Sequence, residues 1–283
     1  MSNFWTRTIT GLSMVFILLL ALFFSGWVFA SIFLVITVLG IWEFYGLITT
    51  DSCQPQKYYG TAAGVALYSS TAMVYLMPGA ISSHSQWVNF IPFLLPIPLF
   101  FTSLIIEVYR NRQNPLLNMA TTTFGFLYIA MPFSLLIFFN RPDMLHFLGM
   151  PVILVCYFAF TWMYDTVAYL YGKQFGKHKL FERISPKKTW EGTIAGGIVT
   201  LVSAYGLHYL IKDIAVADLL ALACMVLFFG TLGDLVESLL KRSLNIKDSG
   251  TILPGHGGIL DRFDTMLISA PFVFLYFFFR LFI

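Results

Sequence analysis

Acids and bases are concentrated in two stretches of a chain that otherwise avoids them. The richer stretch runs Asp234-Leu-Val-Glu-Ser238-Leu-Leu-Lys241-Arg242, then Lys247-Asp248-Ser-Gly250, then Pro254-Gly-His256-Gly257-Gly258-Ile-Leu-Asp261-Arg262-Phe-Asp264. Asp261 and Asp264 are three apart, which on a helix puts both carboxylates on one face. Asp234 closes the preceding apolar span, so a helical bundle can bring all three acids together. Hard carboxylate oxygens at a membrane surface are what Mg²⁺ or Mn²⁺ takes, commonly one or two of them completed by water and substrate phosphate. Lysines and arginines beside them hold the phosphates, and the combination fits phosphoryl-type transfer by positioning and charge neutralisation. Gly250, Gly255, Gly257 and Gly258 with Pro254 make a loop whose backbone N–H groups can approach an oxyanion. His256 is open between a turn residue, a phosphate donor and a proton shuttle.

The second stretch runs Gly172-Lys-Gln-Phe-Gly176-Lys177-His178-Lys179, then Ile184-Ser185-Pro186-Lys187-Lys188-Thr189-Trp190-Glu191-Gly192. It reads as a turn into a helix, with Ser185 as N-cap and Pro186 at the first helical position. Lys187 and Lys188 would then sit near a positive helix end, unfavourable for lysine but suited to attracting polyanions. Asp165, in Trp162-Met-Tyr-Asp165-Thr166-Val-Ala-Tyr169, lies inside an apolar span and is costly unless it walls an aqueous cavity. Glu43 and Glu107 fall near span ends and read as interfacial; His84, His146 and His208 receive no role. The plainer readings are a solvated loop obeying the topology rule and a polybasic lipid-surface anchor. Against the first, five Asp or Glu between 234 and 264 gain nothing from that rule.

These residues must be positioned by elements that live in lipid. Of 283 residues, 58% are hydrophobic, 18% aromatic and 11% charged, with a mean hydropathy of +0.79. Globular domains carry about 25% charged residues, so a soluble fold, a disordered chain and a nucleic-acid binder are disfavoured together. A crossing helix needs roughly 20 apolar residues, and the hydropathy predicts nine: Thr8 to Phe24, Trp27 to Leu47, Gly60 to Leu76, Phe90 to Val108, Met119 to Phe139, Pro151 to Tyr171, Gly192 to Leu210, Ala215 to Gly233 and Thr265 to Phe282. The first, behind Arg7, resembles a signal peptide with small residues near Val28 and Ala30. The apolar stretch runs on past Ser25 and Gly26, so a helical hairpin is the reading preferred.

Lys and Arg divide fourteen to three between alternate sides, with only Arg141, Lys212 and Arg280 on the poorer one. That places the N-terminus in the cytoplasm and, with nine spans, the C-terminus outside. The expectation is an all-α polytopic protein forming a single membrane domain over 1–283. Within it, 1–140 are N-terminal spans, and 151–283 carry the chemistry on cytoplasmic loops at about Gly172 to Glu191 and Asp234 to Asp264. Cys53, Cys156 and Cys224 are scattered and odd in number, which supports neither disulfides nor a thiolate metal site. The small residues Gly192, Gly196 and Gly197 predict close helix packing in the seventh span.

From Ser238 to Asp264 the residues resemble the signature of the phosphatidate cytidylyltransferases, the CDP-diacylglycerol synthases: Ser238, Lys241-Arg242, Lys247-Asp248, Gly250, Leu253-Pro254, His256-Gly257-Gly258-Ile259, Asp261-Arg262 and Asp264. A second hallmark, Asp-Thr-x-Ala-Tyr with a following Gly-Lys and then Ser-Pro-Lys-Lys-Thr-Trp-Glu-Gly, is similar to Asp165 to Lys173 and Ser185 to Gly192. The resemblance implies that CTP and phosphatidic acid give CDP-diacylglycerol and pyrophosphate, an early step of phospholipid biosynthesis. The setting it implies is a bacterial-type inner membrane, with the active site facing the cytoplasm. It makes Asp234 and Asp261 metal carboxylates and Asp264 a further ligand or support, with Mg²⁺ the expected metal, Mn²⁺ the substitute and room for a second cation. Lys241, Arg242, Lys247 and Arg262 would bind phosphates, as would Ser185, Lys187 and Lys188; Asp165 would wall the substrate site. A phosphate monoester is already deprotonated near neutrality, with a second pKa of about 6, so His256 is expected to be structural or phosphate-facing rather than a base. The partners are CTP, phosphatidic acid and membrane lipid, without nucleic acid, and a homodimer is compatible.

Two other readings compete. A CDP-alcohol phosphotransferase would carry Asp-Gly-x-x-Ala-Arg followed by glycine and two spaced aspartates, which this sequence lacks. A transporter would carry paired interrupted helices in two related halves and midplane charges. Here the charges gather at one membrane face.

Overall fold

The computed structural model describes residues 3–76, 90–141, 144, 146–147, 150–250, 252 and 257–282. The helices are α1 (Asn3–Phe23), α2 (Gly26–Ile48), α3 (Lys57–Leu76), α4 (Ile91–Leu94), α5 (Pro96–Arg110), α6 (Pro115–Leu136), α7 (Val152–Phe175), α8 (Trp190–Leu207), α9 (Val216–Met225), α10 (Thr231–Ser243) and α11 (Leu260–Phe282). Two small antiparallel hairpins accompany them: β1 (His146–Phe147) with β2 (Met150–Pro151), and β3 (Lys179–Phe181) with β4 (Ser185–Thr189). The nine apolar stretches lie mostly on helix, with α8 stopping at Leu207 short of the expected Leu210 and Pro151 in β2. Among the described residues, six segments are long and apolar enough to cross a membrane: Gly26–Ile48, Ile91–Arg110, Pro115–Asn140, Val152–Phe175, Val216–Ser243 and Leu260–Arg280. The protein is thus an all-α polytopic membrane protein.

The chain divides into two compact units, Met1–Met144 with Ile246–Phe263, and Leu145–Asn245 with Asp264–Ile283. In the first, α2, α3 and α6 enclose an aromatic core. Tyr45 is fully buried where Gly60 and Gly125 leave room for its ring, and its hydroxyl donates to the Thr122 carbonyl at 2.6 Å. Phe33, Phe133 and Phe263 meet edge to face with centroids 5.3–6.0 Å apart, a favoured aromatic geometry. Ser25 caps α2 by accepting from the Val28 N–H at 3.3 Å, which closes the α1–α2 turn in two residues. Asn111 and Asn114, both at positive φ, turn α5 into α6, which opens on Pro115, the position where a missing N–H costs nothing.

In the second unit α7 and α8 run in close contact because glycine removes the side chains between them. A Cβ at Gly192 would lie 2.4 Å from the Ala168 carbonyl oxygen, and one at Gly196 would strike Tyr164. The predicted close packing of this segment is present. A π-turn, Val226–Gly230, joins α9 to α10 and resets the helical phase just before Thr231 and Asp234, as such turns often do near functional sites. Tyr164 shares a 2.5 Å hydrogen bond with Thr231, and Tyr157 shares one of 2.6 Å with Ser269. These bonds tie α7 to α10 and to α11.

Two local expectations are corrected. Ser185 is not a helix cap and Pro186 does not open a helix: both belong to β4, paired in the register Lys179↔Thr189 and Phe181↔Ser185. The cap is Thr189, whose hydroxyl accepts from the Gly192 N–H at 3.3 Å. Strand pairing absorbs Ser185–Thr189, and Pro186 is tolerated in a two-stranded ribbon that leaves one edge of β4 unpaired. The second correction concerns the stretch starting at Asp234. Its first ten residues are helical, so the loop begins at Leu244. The Glu237–Lys241 ion pair, four residues apart and largely buried, spans the last turns of this helix beyond its apolar part.

Candidate active site

A cavity of about 530 Å³ opens in the second unit among α7, the β3–β4 hairpin, α8 and the start of α10. That size is ordinary for a small-molecule site. Its charged lining is Asp165, Asp234, Lys173, Lys179, Lys187 and Lys188, four ammonium groups against two carboxylates. A concave wall with this excess of positive charge concentrates polyanions. Each charge is there for a structural reason. Asp165 projects from α7 at a point where the helix borders the cavity rather than lipid, as the cost of an intramembrane acid required. Lys187 and Lys188 ride on β4, and Asp234 sits in the first turn of α10.

At the centre the Lys188 Nζ lies 2.5 Å from Asp234 Oδ2, with both side chains about a quarter exposed. Ser238 Oγ donates to Asp234 Oδ1 at 3.2 Å from one turn further along α10. Asp264 is within electrostatic reach of Asp234, Glu237 and Asp165. The approach is close because a Cβ at Gly233 would lie 2.5 Å from the Asp264 carbonyl oxygen, so α10 and α11 touch backbone to backbone beside these acids. Four carboxylates gather here, Asp234 paired with Lys188 and Glu237 with Lys241.

The remaining sequence-predicted residues fall as follows. Lys241 is held by Glu237, Arg242 is exposed at the end of α10, and Ser185 lies half-buried on β4 without lining the cavity. In the first unit, Lys247 and Arg262 are exposed. Asp261 Oδ2 there accepts the N–H groups of Ser249 at 2.8 Å and Gly258 at 2.9 Å. Gly257 has φ +91 and a Cβ on it would meet Asp261 Oδ2, so glycine is required both for the backbone and for the space. His256 lies outside the described residues, as do Pro254 and Gly255.

Sequence reasoning missed the part played by Glu43. Read as interfacial, it is buried, and its carboxylate accepts from Ser249 Oγ (2.6 Å), the Ile259 N–H (2.8 Å) and the Leu260 N–H (3.1 Å). The signal in the sequence was a lone acid within the 23 residues of α2. Glu107 is likewise internal, bonded by Gln56, Asn118 and Arg110 at 2.7–2.8 Å.

Outside the spans, Glu191 at the start of α8 accepts from its own backbone N–H, from the His178 ring at 2.6 Å and from the Lys177 and His178 amides. Its own N–H and the His178 ring lead in drawing its pKa down to about 2. This bond set pins the entry of the β3–β4 hairpin to α8.

Among the described residues no group of three His, Cys, Asp or Glu converges as a complete cage for a metal ion. The donors that are present are hard oxygens, and Mg²⁺ asks for only one or two carboxylates when water and phosphate complete the shell. In the second unit Asp234 and Asp264 are carboxylates within electrostatic reach of each other.

Residues 5–280 match the cytidylyltransferase family. Among similar curated proteins, the phosphatidate cytidylyltransferase of Staphylococcus aureus (strain COL) is 36% identical over 207 residues, 72% of this chain and 76% of its own. The protein of that name from Staphylococcus saprophyticus is 37% identical over 187 residues, 66% of this chain and 69% of its own. That from Rickettsia typhi is 34% identical over 197 residues, 65% of this chain and 84% of its own. A match across nearly the whole length leaves one assignment: this chain belongs to the cytidylyltransferase family.

Proposed function

We propose that this enzyme joins a nucleotide to a lipid, transferring the cytidylyl group of CTP to phosphatidic acid to give CDP-diacylglycerol and pyrophosphate. The observation that carries the reading is the family match over residues 5–280, whose relatives bear the name of that reaction. A phosphate oxygen of the lipid forms a bond to the α-phosphorus of CTP as the bond from that phosphorus to the bridging oxygen breaks, and pyrophosphate leaves with the electron pair. Atoms balance without a covalent enzyme intermediate. The chain's task is to hold two anions in line and neutralise their charge.

Lys173, Lys179, Lys187 and Lys188 supply that positive charge from three sides of the cavity. Lys188 also holds Asp234 in place through their 2.5 Å contact. Asp234 and Asp264 are the carboxylates we assign to Mg²⁺, and Asp261 is assigned by the sequence resemblance alone. Bound there, the ion would supply Lewis-acid charge at the transferring phosphorus. Tyr169, exposed beside Lys173, and the apolar flank of α7 offer the acyl chains a surface continuous with lipid.

The fourteen-to-three division of basic residues supports nine spans with a cytoplasmic N-terminus and an outer C-terminus. It supports equally a cytoplasmic active site in a bacterial-type inner membrane, since that is where CTP is found. The test is purified protein in detergent with labelled CTP, phosphatidic acid and Mg²⁺, following CDP-lipid and pyrophosphate. Magnesium-dependent product that is abolished by chelator and lost in Asp261→Asn and Asp234→Asn is expected. A folded preparation that makes no product with any phospholipid acceptor would refute phosphatidate as the substrate.

A further inference from the structure

We infer that Glu43, on α2 among the apolar N-terminal spans, is a positioning residue for Ser249 and Gly258–Asp261 of the signature. The inference rests on the reading of the signature as part of the catalytic apparatus. Its basis is a closed set of bonds within the first unit. The Glu43 carboxylate accepts from Ser249 Oγ, the Ile259 N–H and the Leu260 N–H at 2.6–3.1 Å. Ser249 Oγ in turn accepts from the Asp261 N–H at 3.3 Å, and the Ser249 N–H donates to Asp261 Oδ2 at 2.8 Å. Asp261 Oδ2 takes the Gly258 N–H as well, at 2.9 Å. Two carboxylates and one hydroxyl therefore satisfy the consecutive N–H groups of residues 258–261, the orphan donors that open α11. Whatever fixes this turn fixes the Asp261 side chain.

Glycines of the signature are spaced to admit this carboxylate. A Cβ at Gly258 would lie 2.0 Å from Glu43 Oε1 and 2.3 Å from Ser249 Oγ, and one at Gly250 would lie 2.8 Å from Glu43 Oε2. A carboxylate removed from water is costly unless its acceptors are filled, and here three donors fill them. An interfacial acid would instead face water, whereas Glu43 is only 8% exposed. Its partners include residues 206–217 positions away in the sequence, so an acid in the half of the chain that carries no readable motif sets the geometry of the half that does.

The test uses the full-length protein in detergent with Glu43→Gln, Glu43→Ala and Gly258→Ala, and reads amide hydrogen exchange, kcat and KM. In Glu43→Gln an amide NH₂ is turned against at least one of three donors. Faster exchange confined to the amides of 249 and 258–261 is expected, with kcat falling about 10–100-fold and the KM for CTP nearly unchanged. Gly258→Ala keeps the charge but displaces the carboxylate, and should reproduce both effects should Glu43→Gln fail to fold. In Glu43→Ala the crowding against the carboxylate is relieved, leaving only that against Ser249 Oγ, so adding Gly258→Ala should cost less than it does alone. Unaltered exchange at 258–261, or a wild-type kcat per folded molecule in both Glu43→Gln and Gly258→Ala, overturns the inference. Localised exchange in a protein whose unaltered form makes no CDP-lipid would uphold the role of Glu43 in the segment while refuting the assigned reaction.

Discussion

The α7–α8 contact gives a quantitative test of how the cavity is held. Asp165 and Tyr164 are on α7, and Thr193 is on α8, which continues directly from the lysines of β4. The two helices meet at Gly192, where a Cβ would lie 2.4 Å from the Ala168 carbonyl oxygen and 3.0 Å from the Gly172 Cα, against about 3.4 Å for ordinary contact. The obstacle is backbone, which cannot rotate away, so Gly192→Ala must separate the helices by about 1 Å. Overpacking of this kind costs about 1–3 kcal/mol, offset in part by the roughly 1 kcal/mol by which alanine favours a helix over glycine. A net loss of about 1–2 kcal/mol in stability is expected. The functional loss should be larger, because a 1 Å misplacement of reacting groups can cost about 10²-fold in rate. The assay is CDP-lipid formation by the purified variant, normalised to the folded fraction from thermal unfolding. Two controls separate crowding from glycine loss as such: Gly197→Ala, whose Cβ would meet only the Leu227 methyl groups at 3.6 Å and beyond, and Gly206→Ala, which has nothing within 4 Å. Both should turn over as the wild type does. Wild-type rate and melting in Gly192→Ala would refute the claim that backbone contact at this glycine sets the cavity.

Further perturbations address the other charges. Lys188→Met removes the partner of Asp234 and the phosphate ligand proposed above; kcat/KM for CTP should fall at least about tenfold, or ~1.4 kcal/mol, and an unchanged value would remove Lys188 from the site. Glu107→Ala removes a carboxylate that is only 2% exposed and takes an acceptor from Gln56, Asn118 and Arg110, of which Arg110 keeps the Gln54 carbonyl and is 24% exposed. Leaving buried donors unsatisfied costs about 1–3 kcal/mol, so the melting temperature should drop while the KM of the folded fraction holds. Glu191, whose pKa is drawn from 4.5 to about 2, is a depressed carboxylate, so its contribution to stability is present above the unfolded value and is lost as pH falls through about 2. Protection of the Lys177 and His178 amides, read by hydrogen exchange, should persist through mildly acid pH and fade towards about 2, and should be weak at every pH in Glu191→Gln.

How much of this could be read beforehand depends on whether the physics was local. Helices were legible because hydrocarbon requires long apolar runs, and Asp165 was legible as a cavity wall because no other setting makes an acid affordable inside α7. The cap of α8 was not, because Ser185 and Thr189 are both able to cap, and the choice was made by pairing of β4 with β3. Asp234 to Ser243 looked like loop because its apolar pattern fades, yet the Glu237–Lys241 pair lets the helix run on. Glu43 was illegible as a partner of Ser249, since a carboxylate that bonds backbone N–H groups leaves no residue-type signature on the other side of the bond.

The same contrast explains the division of labour among the glycines. Gly192 and Gly196 bring two helix backbones together and so set the distance across a cavity, whereas Gly250 and Gly258 make room for a carboxylate and so set the shape of a turn. The first kind is recognisable by its spacing along a helix. The second resembles a flexible phosphate loop, and in this protein part of that loop is instead rigidly bonded: Ser249 is 2% exposed and bonded at both its N–H and its hydroxyl. A segment so fixed can present Asp261 in one orientation before substrate arrives. If Asp261 is the metal carboxylate proposed above, preorganisation of this kind would spare the site a reorientation of that ligand as charge develops, and the acid that enforces it comes from a distant span.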